Sequence, residues 1–315
     1  MIKELCEKLT DNISLAVKGK RPQIRLVCAA LFAGGHVLLQ DVPGTGKTLL
    51  ARSLARSVEG EFRRIQFTPD LLPSDITGIN WFNVKQQEFV LRKGPVFTNV
   101  LLADEINRAT PRTQSALLEC MEERQATVDG DTLPIQQPFF VIATQNPAEI
   151  QGTYPLPEAQ LDRFMIRLAL GYPERGQELL AISGGSSADP ARDIKPVCGV
   201  GDILAAQREA DSVKVTDAVC GYIADIAART RTHAGVRLGL STRGAQALKR
   251  MACALAAIDG RDYAKPQDVI KAAPVVVCHR LICRGYSVNG SAENAAGEVL
   301  SQVLGSVPVP SEDIG

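Results

Sequence analysis

The segment Gln40-Asp-Val-Pro-Gly-Thr-Gly-Lys-Thr48 decides the fold of this chain. It directly follows the apolar run His36–Leu39 and leads into Thr48–Val58, which has helical periodicity. A strand, a glycine-rich loop and a helix in this order are typical of a phosphate-binding loop. We therefore predict an α/β domain of the P-loop type, although an incidental lysine in a glycine-rich turn would give the same letters.

Each residue type in this loop suits a polyphosphate. Gly44 and Gly46 let the backbone curl, so that successive amide groups point at a β-phosphate near the positive end of a helix. Lys47 is expected to reach the β- and γ-phosphates, and the Thr48 hydroxyl to bind Mg²⁺. The predicted nucleotide-binding residues here are Pro43, Gly44, Thr45, Gly46, Lys47, Thr48 and Leu49. One position departs from the general pattern, because Asp41 stands where the first glycine is usual.

Apolar runs alternate with helical segments up to residue 171. The runs are His36–Leu39, Phe62–Phe67, Val100–Ala103, Phe139–Ala143 and Phe164–Leu170. Strands that alternate with helices predict a parallel sheet covered on both faces. Residues 1–171 are therefore predicted to form a three-layer αβα nucleotide-binding domain.

The second half of the chain has a different texture. Asp202–Arg208, Thr216–His233 and Ser241–Ile258 show apolar spacing near 3.6 residues, which is typical of helices. We predict an all-α domain over residues 172–309, with a linker over 172–195 and a tail over 310–315.

Two adjacent carboxylates follow the buried run Val100–Ala103. Side chains alternate along a strand, so Asp104 and Glu105 are expected to do different jobs. Asp104 suits the water shell of Mg²⁺, and Glu105 suits a general base that polarises an attacking water.

Polar residues also follow the next two runs. Asn146 ends the strand Phe139–Thr144 and is interpreted as a contact to the same water or to the γ-phosphate, unless it merely caps the turn before Pro147. Arg163 precedes the last short strand and is interpreted as an arginine finger for a neighbouring subunit. The alternative for Arg163 is a surface salt bridge.

Composition excludes several classes of protein. The chain of 315 residues has 35 basic and 35 acidic side chains, which does not favour a polybasic nucleic-acid binder. The N-terminus does not resemble a signal peptide, and no apolar stretch approaches a membrane span, so we expect a cytoplasmic protein without membrane insertion. The eight cysteines lack metal or redox spacing and are expected to be reduced thiols, with His279 on a helix surface between Cys278 and Cys283.

Together these motifs resemble the MoxR family of AAA+ ATPases, in the helix-2-insert branch that is related to magnesium-chelatase motor subunits. The resemblance extends from about Val17 to Leu281. Beyond the phosphate loop it rests on the segments Arg64–Gly78, Asp104–Ala109, Gln114–Glu123, Ala143–Pro147 and Leu156–Phe164.

The resemblance implies a role for each site residue. Lys47 and Thr48 belong to Walker A, Asp104 and Glu105 to Walker B, Asn146 is sensor 1, and Arg163 is the arginine finger. Arg243 matches the sensor 2 arginine, which projects from the helical lid to the γ-phosphate. Val17 and Gly19 resemble the segment that lines the adenine pocket. The segments Trp81–Arg92 and Gln125–Gln136 resemble the inserted β-hairpins of this branch, with solvated loops as the alternative.

The function that this resemblance implies is Mg²⁺-dependent hydrolysis of ATP in a hexameric ring that remodels, assembles or activates a client protein. The client could include a von Willebrand factor A domain. The alternatives are a magnesium-chelatase-like motor subunit, a nucleic-acid motor and a P-loop kinase of a small molecule. Whether Arg108 or Arg112 also acts across subunits stays open.

Overall fold

The computed structural model describes residues 1–147, 152–172, 175–176, 178–179, 190–284 and 291–310, and the structural statements below concern these residues. The described strands are, in chain order, β1 (Val37–Gln40), β2 (Val58–Glu59), β3 (Phe62–Gln66), β4 (Gly78–Asn83), β5 (Glu88–Lys93), β6 (Val100–Asp104), β7 (Gln125–Val128), β8 (Asp131–Pro134), β9 (Phe140–Gln145), β10 (Ile166–Leu168), β11 (Cys198–Gly199), β12 (Val236–Leu238) and β13 (Ile282–Cys283). The described α-helices are α1 (Ile2–Ser14), α2 (Arg21–Phe32), α3 (Lys47–Ser57), α4 (Pro73–Thr77), α5 (Pro111–Glu123), α6 (Glu158–Leu161), α7 (Val200–Asp211), α8 (Asp217–Thr232), α9 (Thr242–Ile258), α10 (Pro266–Val277) and α11 (Ser291–Ser306).

A five-stranded parallel sheet forms the centre of the first domain, in the order β10–β1–β9–β6–β3. Alternate residues of its strands face two separate cores. Leu39 and Ile142 belong to a core that includes residues of α1, α2 and α3, whereas Leu38 and Val141 belong to one that includes residues of α5. This arrangement confirms the predicted three-layer αβα architecture, and the strands occur where the five apolar runs predicted them.

The lid consists of α7 to α11 and confirms the predicted helical second half. Its core is continuous with one face of the first domain, since Ile24 of α2 and Leu248 of α9 belong to the same buried cluster. The N-terminal helices connect the two parts, because α1 and α2 pack against α7 and α9 and α1 also packs against α3. The predicted linker falls largely outside the described residues, as does the predicted tail beyond residue 310.

Two antiparallel hairpins project from the first domain at the two predicted insertions. β4 pairs with β5, and β7 pairs with β8. The Asn80 backbone amide donates to Asp129 Oδ2 at 3.1 Å, which joins the two hairpins. Phe82 and Phe89 meet edge to face with ring centroids 5.3 Å apart, although both rings are exposed.

The cysteines are free thiols, and most of them are buried. His279 lies among them but not where it was expected. It is buried, with Nε2 3.2 Å from the Phe164 carbonyl oxygen, because the short 3-10 helix Cys278–Arg280 packs onto the segment before β10. The predicted surface position is therefore wrong. Burial lowers the pKa of His279 well below its usual range.

No helix within the described ranges has the length and apolar character that a membrane-spanning helix needs.

The base of the first hairpin depends on Gly94. A Cβ atom at this position would lie 2.2 Å from the Ile76 carbonyl oxygen and 2.5 Å from the Gly78 amide nitrogen. Because both atoms belong to the backbone, Gly94→Ala is expected to lower the free energy of unfolding by about 2 kcal/mol, as overpacked sites do. Gly201→Ala is the control, since nothing lies within 4 Å of its Cβ position. Equal urea midpoints for the two variants would contradict this account.

Candidate functional site

The loop between β1 and α3 is open around its two glycines. Gly44 and Gly46 have φ angles of +82° and +92°, a region that favours glycine. Nothing lies within 4 Å of the position that a Cβ atom would take at either residue. The loop therefore presents backbone, without side chains, at the N-terminus of α3. This is the geometry that a phosphate group requires.

Asp41 explains how the loop tolerates its missing first glycine. Its carboxylate is buried and accepts hydrogen bonds from the Val42 amide at 2.8 Å and the Gly171 amide at 2.7 Å. The first bond shapes the start of the loop, and the second ties the loop to the chain after β10. The Asp41 side chain therefore holds the loop in shape through two hydrogen bonds, at a position where other phosphate loops have a flexible glycine.

Lys47 and Thr48 begin α3 directly after the loop. Lys47 Nζ donates to the carbonyl oxygens of Asp41 at 2.5 Å and Val42 at 2.9 Å. Thr48 Oγ1 donates to Asp104 Oδ2 at 3.3 Å. The lysine is thus folded onto its own loop, while the threonine hydroxyl faces the end of β6.

The two carboxylates after β6 have different partners. Asp104 Oδ2 accepts from Arg64 at 2.8 Å as well as from Thr48. Glu105 lies in the left-handed region with a φ of +57°, and its Oε2 accepts from Gln66 at 2.7 Å and pairs with Arg108 Nε at 3.1 Å. The strained turn at Glu105 separates its carboxylate from that of Asp104.

Thr144, which the sequence analysis did not single out, connects the two acids. Its hydroxyl donates to Asp104 Oδ1 at 2.6 Å and accepts from the Glu105 amide at 2.9 Å. The side chain is 1% exposed. Asn146 follows the same strand, β9, and is also buried. The available signal was that Thr144 is a polar residue directly after the apolar run Phe140–Ala143 of β9, which adjoins β6.

The segment predicted to line an adenine pocket lies near the start of the loop. Val17 is buried, and Gly19 has a φ of +69°. The next residue, Lys20, donates to the Tyr172 carbonyl oxygen at 2.9 Å. Because Gly171 is bonded to Asp41, residues 17–20 and the chain after β10 lie together beside the phosphate loop.

Arg163 and Arg243 lie together but apart from the phosphate loop. Both pair with Glu122, Arg163 through Nε at 3.0 Å and Arg243 through Nη2. They line a cleft of about 290 Å³ that also contains Gly35 and His36, the residues that precede β1. The phosphate loop follows the other end of β1.

The length of β1 therefore separates the two groups. From His36 to Asp41 the extended chain covers about 16 Å at 3.3 Å per residue. In a parallel sheet Asp104 and Asn146 lie at the carboxyl edge with the loop, whereas the arginine cleft lies at the amino edge. The structure does not bring Arg163 or Arg243 together with Lys47 of the same chain.

The cleft has an excess of positive charge and tightly held walls. Its lining includes five arginines but only two carboxylates, Glu122 and Asp162. Arg280 is 3% exposed and binds Asp162 Oδ1 at 2.6 Å and the Phe164 carbonyl oxygen at 2.6 Å. Arg280 therefore fastens the lid to the segment that carries Arg163.

His36, which also lines the cleft, connects α5 to the central sheet. Burial, together with the charges of Arg124 and Arg250, lowers its pKa to about 4, so the ring is neutral. Nδ1 accepts from the Val141 amide, and Nε2 donates to the Met121 carbonyl oxygen, each at 3.1 Å. The last turn of α5 is thereby fixed to β9.

The carboxyl-edge residues fit a magnesium nucleotide. Thr48 and Asp104 offer hard oxygen donors beside the amide-lined loop, and Mg²⁺ is usually held by one or two such groups together with phosphate oxygens. No group of three or more His, Cys, Asp or Glu side chains within the described part of the chain is arranged to hold a metal alone. The phosphates would thus complete the metal's shell.

Comparison with known proteins agrees with this geometry. Residues 36–166 match a model of the ATPase family associated with various cellular activities (AAA), and residues 228–302 match the AAA lid domain. Chaperone MoxR1 of Mycobacterium tuberculosis is 39% identical over 96% of this chain and 82% of its own. The protein YeaC of Bacillus subtilis is 46% identical over 97% of this chain and 95% of its own. The crystal structure of a Cytophaga hutchinsonii protein assigned as an ATPase superposes with a TM-score of 0.86 at 37% identity, covering 98% of this chain and 96% of that one.

Thr144 offers a test of the carboxyl-edge arrangement. Thr144→Val keeps the shape but removes the hydroxyl that serves Asp104 and the Glu105 amide. We expect the free energy of unfolding to fall by about 2 kcal/mol, since a buried hydrogen bond to a charged group is lost. Thr144→Ser keeps the hydroxyl and should lose much less. Chemical denaturation measures both, and equal losses would assign the effect to packing.

Proposed function

The chain belongs to the MoxR family of AAA+ ATPases, and from this premise we propose that it hydrolyses ATP to ADP and phosphate at sites shared between the subunits of a ring. The observation that carries this proposal is the position of Arg163 and Arg243 at the amino edge of the sheet, across from the phosphate loop. A cation that acts on phosphoryl transfer must touch the transferring group. From the amino edge, these two can do so only in an adjacent subunit.

The residues at the carboxyl edge have complementary roles in hydrolysis. Lys47 leaves the loop carbonyls that it now contacts and binds the β- and γ-phosphates. Thr48 and Asp104 would hold Mg²⁺, which neutralises phosphate charge when it is bound. Glu105 takes a proton from the attacking water as a general base, and Asn146 orients that water.

The Glu105 carboxylate is engaged through one of its two oxygens before it acts as the base. Its Oε2 is held by Gln66 and Arg108, so either these contacts loosen or the water approaches Oε1. In this state Arg108 therefore forms an ion pair with Glu105 of its own chain. Arg112 lies in the first turn of α5, and the proposal assigns it no role.

The two arginines complete the site from the neighbouring subunit. Arg163 acts as the arginine finger, and Arg243 contributes the sensor 2 charge from the lid. Because Arg280 fastens the lid to Asp162, movement of the lid carries both cations with it. Closure of the ring, which we propose to be a hexamer, thus couples hydrolysis at one site to the lid of the next subunit.

We propose that this movement remodels, assembles or activates a client protein in the cytoplasm. The similarity to a protein named Chaperone MoxR1 supports this role. The exposed rings of Phe82 and Phe89 on the first hairpin offer an apolar contact for a client, for which a von Willebrand factor A domain is one candidate. The charge balance of 35 to 35 does not favour a nucleic-acid motor.

Glu105→Gln tests the assignment of the general base. We expect it to lower ATP turnover at least about 100-fold, the usual contribution of a positioned base, with nucleotide affinity retained. Lys47→Ala should instead weaken nucleotide binding itself. Steady-state phosphate release and titration with a fluorescent ATP analogue separate the two variants. Normal turnover by Glu105→Gln would contradict the assignment.

Mixed assemblies test whether Arg163 acts between subunits. Arg163→Ala subunits keep an intact nucleotide site but lack the finger, and Lys47→Ala subunits have the reverse defect. Each variant alone should be inactive, while a mixture should recover turnover with a maximum at intermediate ratios. The measurement is phosphate release against mixing ratio. Absence of recovery at every ratio would count against a shared site.

A further inference from the structure

Glu122 is the residue that joins Arg163 to Arg243. It lies at the end of α5, and each of its carboxylate oxygens pairs with a different arginine. Oε2 lies 3.0 Å from Arg163 Nε, and Oε1 accepts from Arg243 Nη2. The Glu122 side chain is 29% exposed, so the bridge lies at the rim of the cleft.

The three side chains come from separate parts of the fold. Glu122 belongs to a core helix, Arg163 to the segment between α6 and β10, and Arg243 to the first turn of the lid helix α9. Two guanidinium groups at such short range repel one another unless an anion lies between them. The carboxylate of Glu122 supplies that anion.

No other acid lining the cleft within the described residues is available for this task. The second carboxylate there, Asp162, is occupied by Arg280 at 2.6 Å and by the Ser241 hydroxyl at 3.0 Å. The remaining charged groups of the lining are the cations Arg124 and Arg250. Without Glu122, Arg163 and Arg243 would share the cleft with the cations Arg124 and Arg250 and with one acid, Asp162, that is already paired with Arg280.

The contact atoms leave the arginines able to bind phosphate. A guanidinium has five N–H donors in a fixed plane. Glu122 engages Arg163 through Nε, which lies on the inner side of the group, so the two terminal nitrogens of Arg163 can point outward. Arg243 is engaged through one terminal nitrogen, Nη2, and its Nη1 and Nε groups are the donors outside this contact.

We propose that Glu122 is a positioning residue for the shared site: its carboxylate sets the spacing and orientation of Arg163 and Arg243, so that both reach the triphosphate of the neighbouring subunit together. This inference rests on the proposed function. It predicts that Glu122 matters in the subunit that donates the arginines and not in the subunit that binds the ATP.

The test introduces Glu122→Gln separately into each of the two subunits that share an active site. In mixtures of Lys47→Ala donors with Arg163→Ala acceptors, the donor supplies the arginines and the acceptor the nucleotide. Glu122→Gln is added first to the donor and then, in a separate mixture, to the acceptor. In the donor it should lower the turnover at saturating ATP roughly 10- to 100-fold, since a displacement of about 1 Å can cost about 100-fold. In the acceptor it should leave the recovered turnover within about twofold of the parent mixture, because the acceptor contributes no arginine to the active site that its own nucleotide occupies.

Glu123→Gln in the donor is the matched control. Glu123 is the next residue, is exposed, and forms no ion pair with any residue that the structure describes. The substitution removes the same charge one position away and should not change the recovered turnover. Thermal unfolding and sedimentation velocity of each donor report whether Glu122→Gln alters folding or assembly.

Each outcome has a distinct meaning. Loss of turnover only from the donor side, with folding and assembly intact, supports the positioning role. Equal loss from either side would identify Glu122 as a tether between core and lid and overturn the inference, and unchanged or increased turnover would overturn it as well. If Lys47→Ala and Arg163→Ala fail to complement one another before Glu122 is changed, the proposed function fails instead.

Discussion

The separation of charge across the central sheet is the constraint on which the rest of the structure depends. Lys47, Asp104 and Glu105 lie at the carboxyl edge, whereas Arg163 and Arg243 lie at the amino edge beside His36. A strand as short as β1 still places about 16 Å between these edges. Under the proposed function, a complete set of charges around one triphosphate therefore comes from two chains.

Buried polar contacts hold each half of the site in place. At the carboxyl edge Thr144 bonds to both acids, and Asp41 fixes the loop. At the amino edge Arg280 forms an almost fully buried set of contacts with the segment around Asp162. Removing one partner of such a buried pair costs more than the pair contributes, because a charge is left without compensation. These contacts therefore bind the lid and the arginine segment into one unit.

The sequence was sufficient to predict the sheet, the helical second half and the phosphate loop, since each depends on local periodicity or on a short motif. The two hairpins were predicted from the family resemblance. The N-terminal helix α1 was not predicted, although Leu5, Leu9 and Ile13 have helical spacing, because charged and polar residues separate these apolar positions. His279 was misplaced because its burial depends on the distant segment before β10. Thr144 and Glu122 could not be found from spacing, since their partners lie on other strands and helices. The motif that contains Arg243 resembles one that contacts phosphate, but it does not indicate whether the nucleotide is bound by the same chain or by a neighbouring subunit.

The specific ATPase activity measured against protein concentration, with the mass of the same samples followed by light scattering, tests the shared site most directly. The account predicts that activity per subunit rises with concentration in parallel with assembly and then reaches a plateau. Constant specific activity in dilutions where light scattering shows only monomers would contradict it, because a single chain would then hold a complete catalytic site.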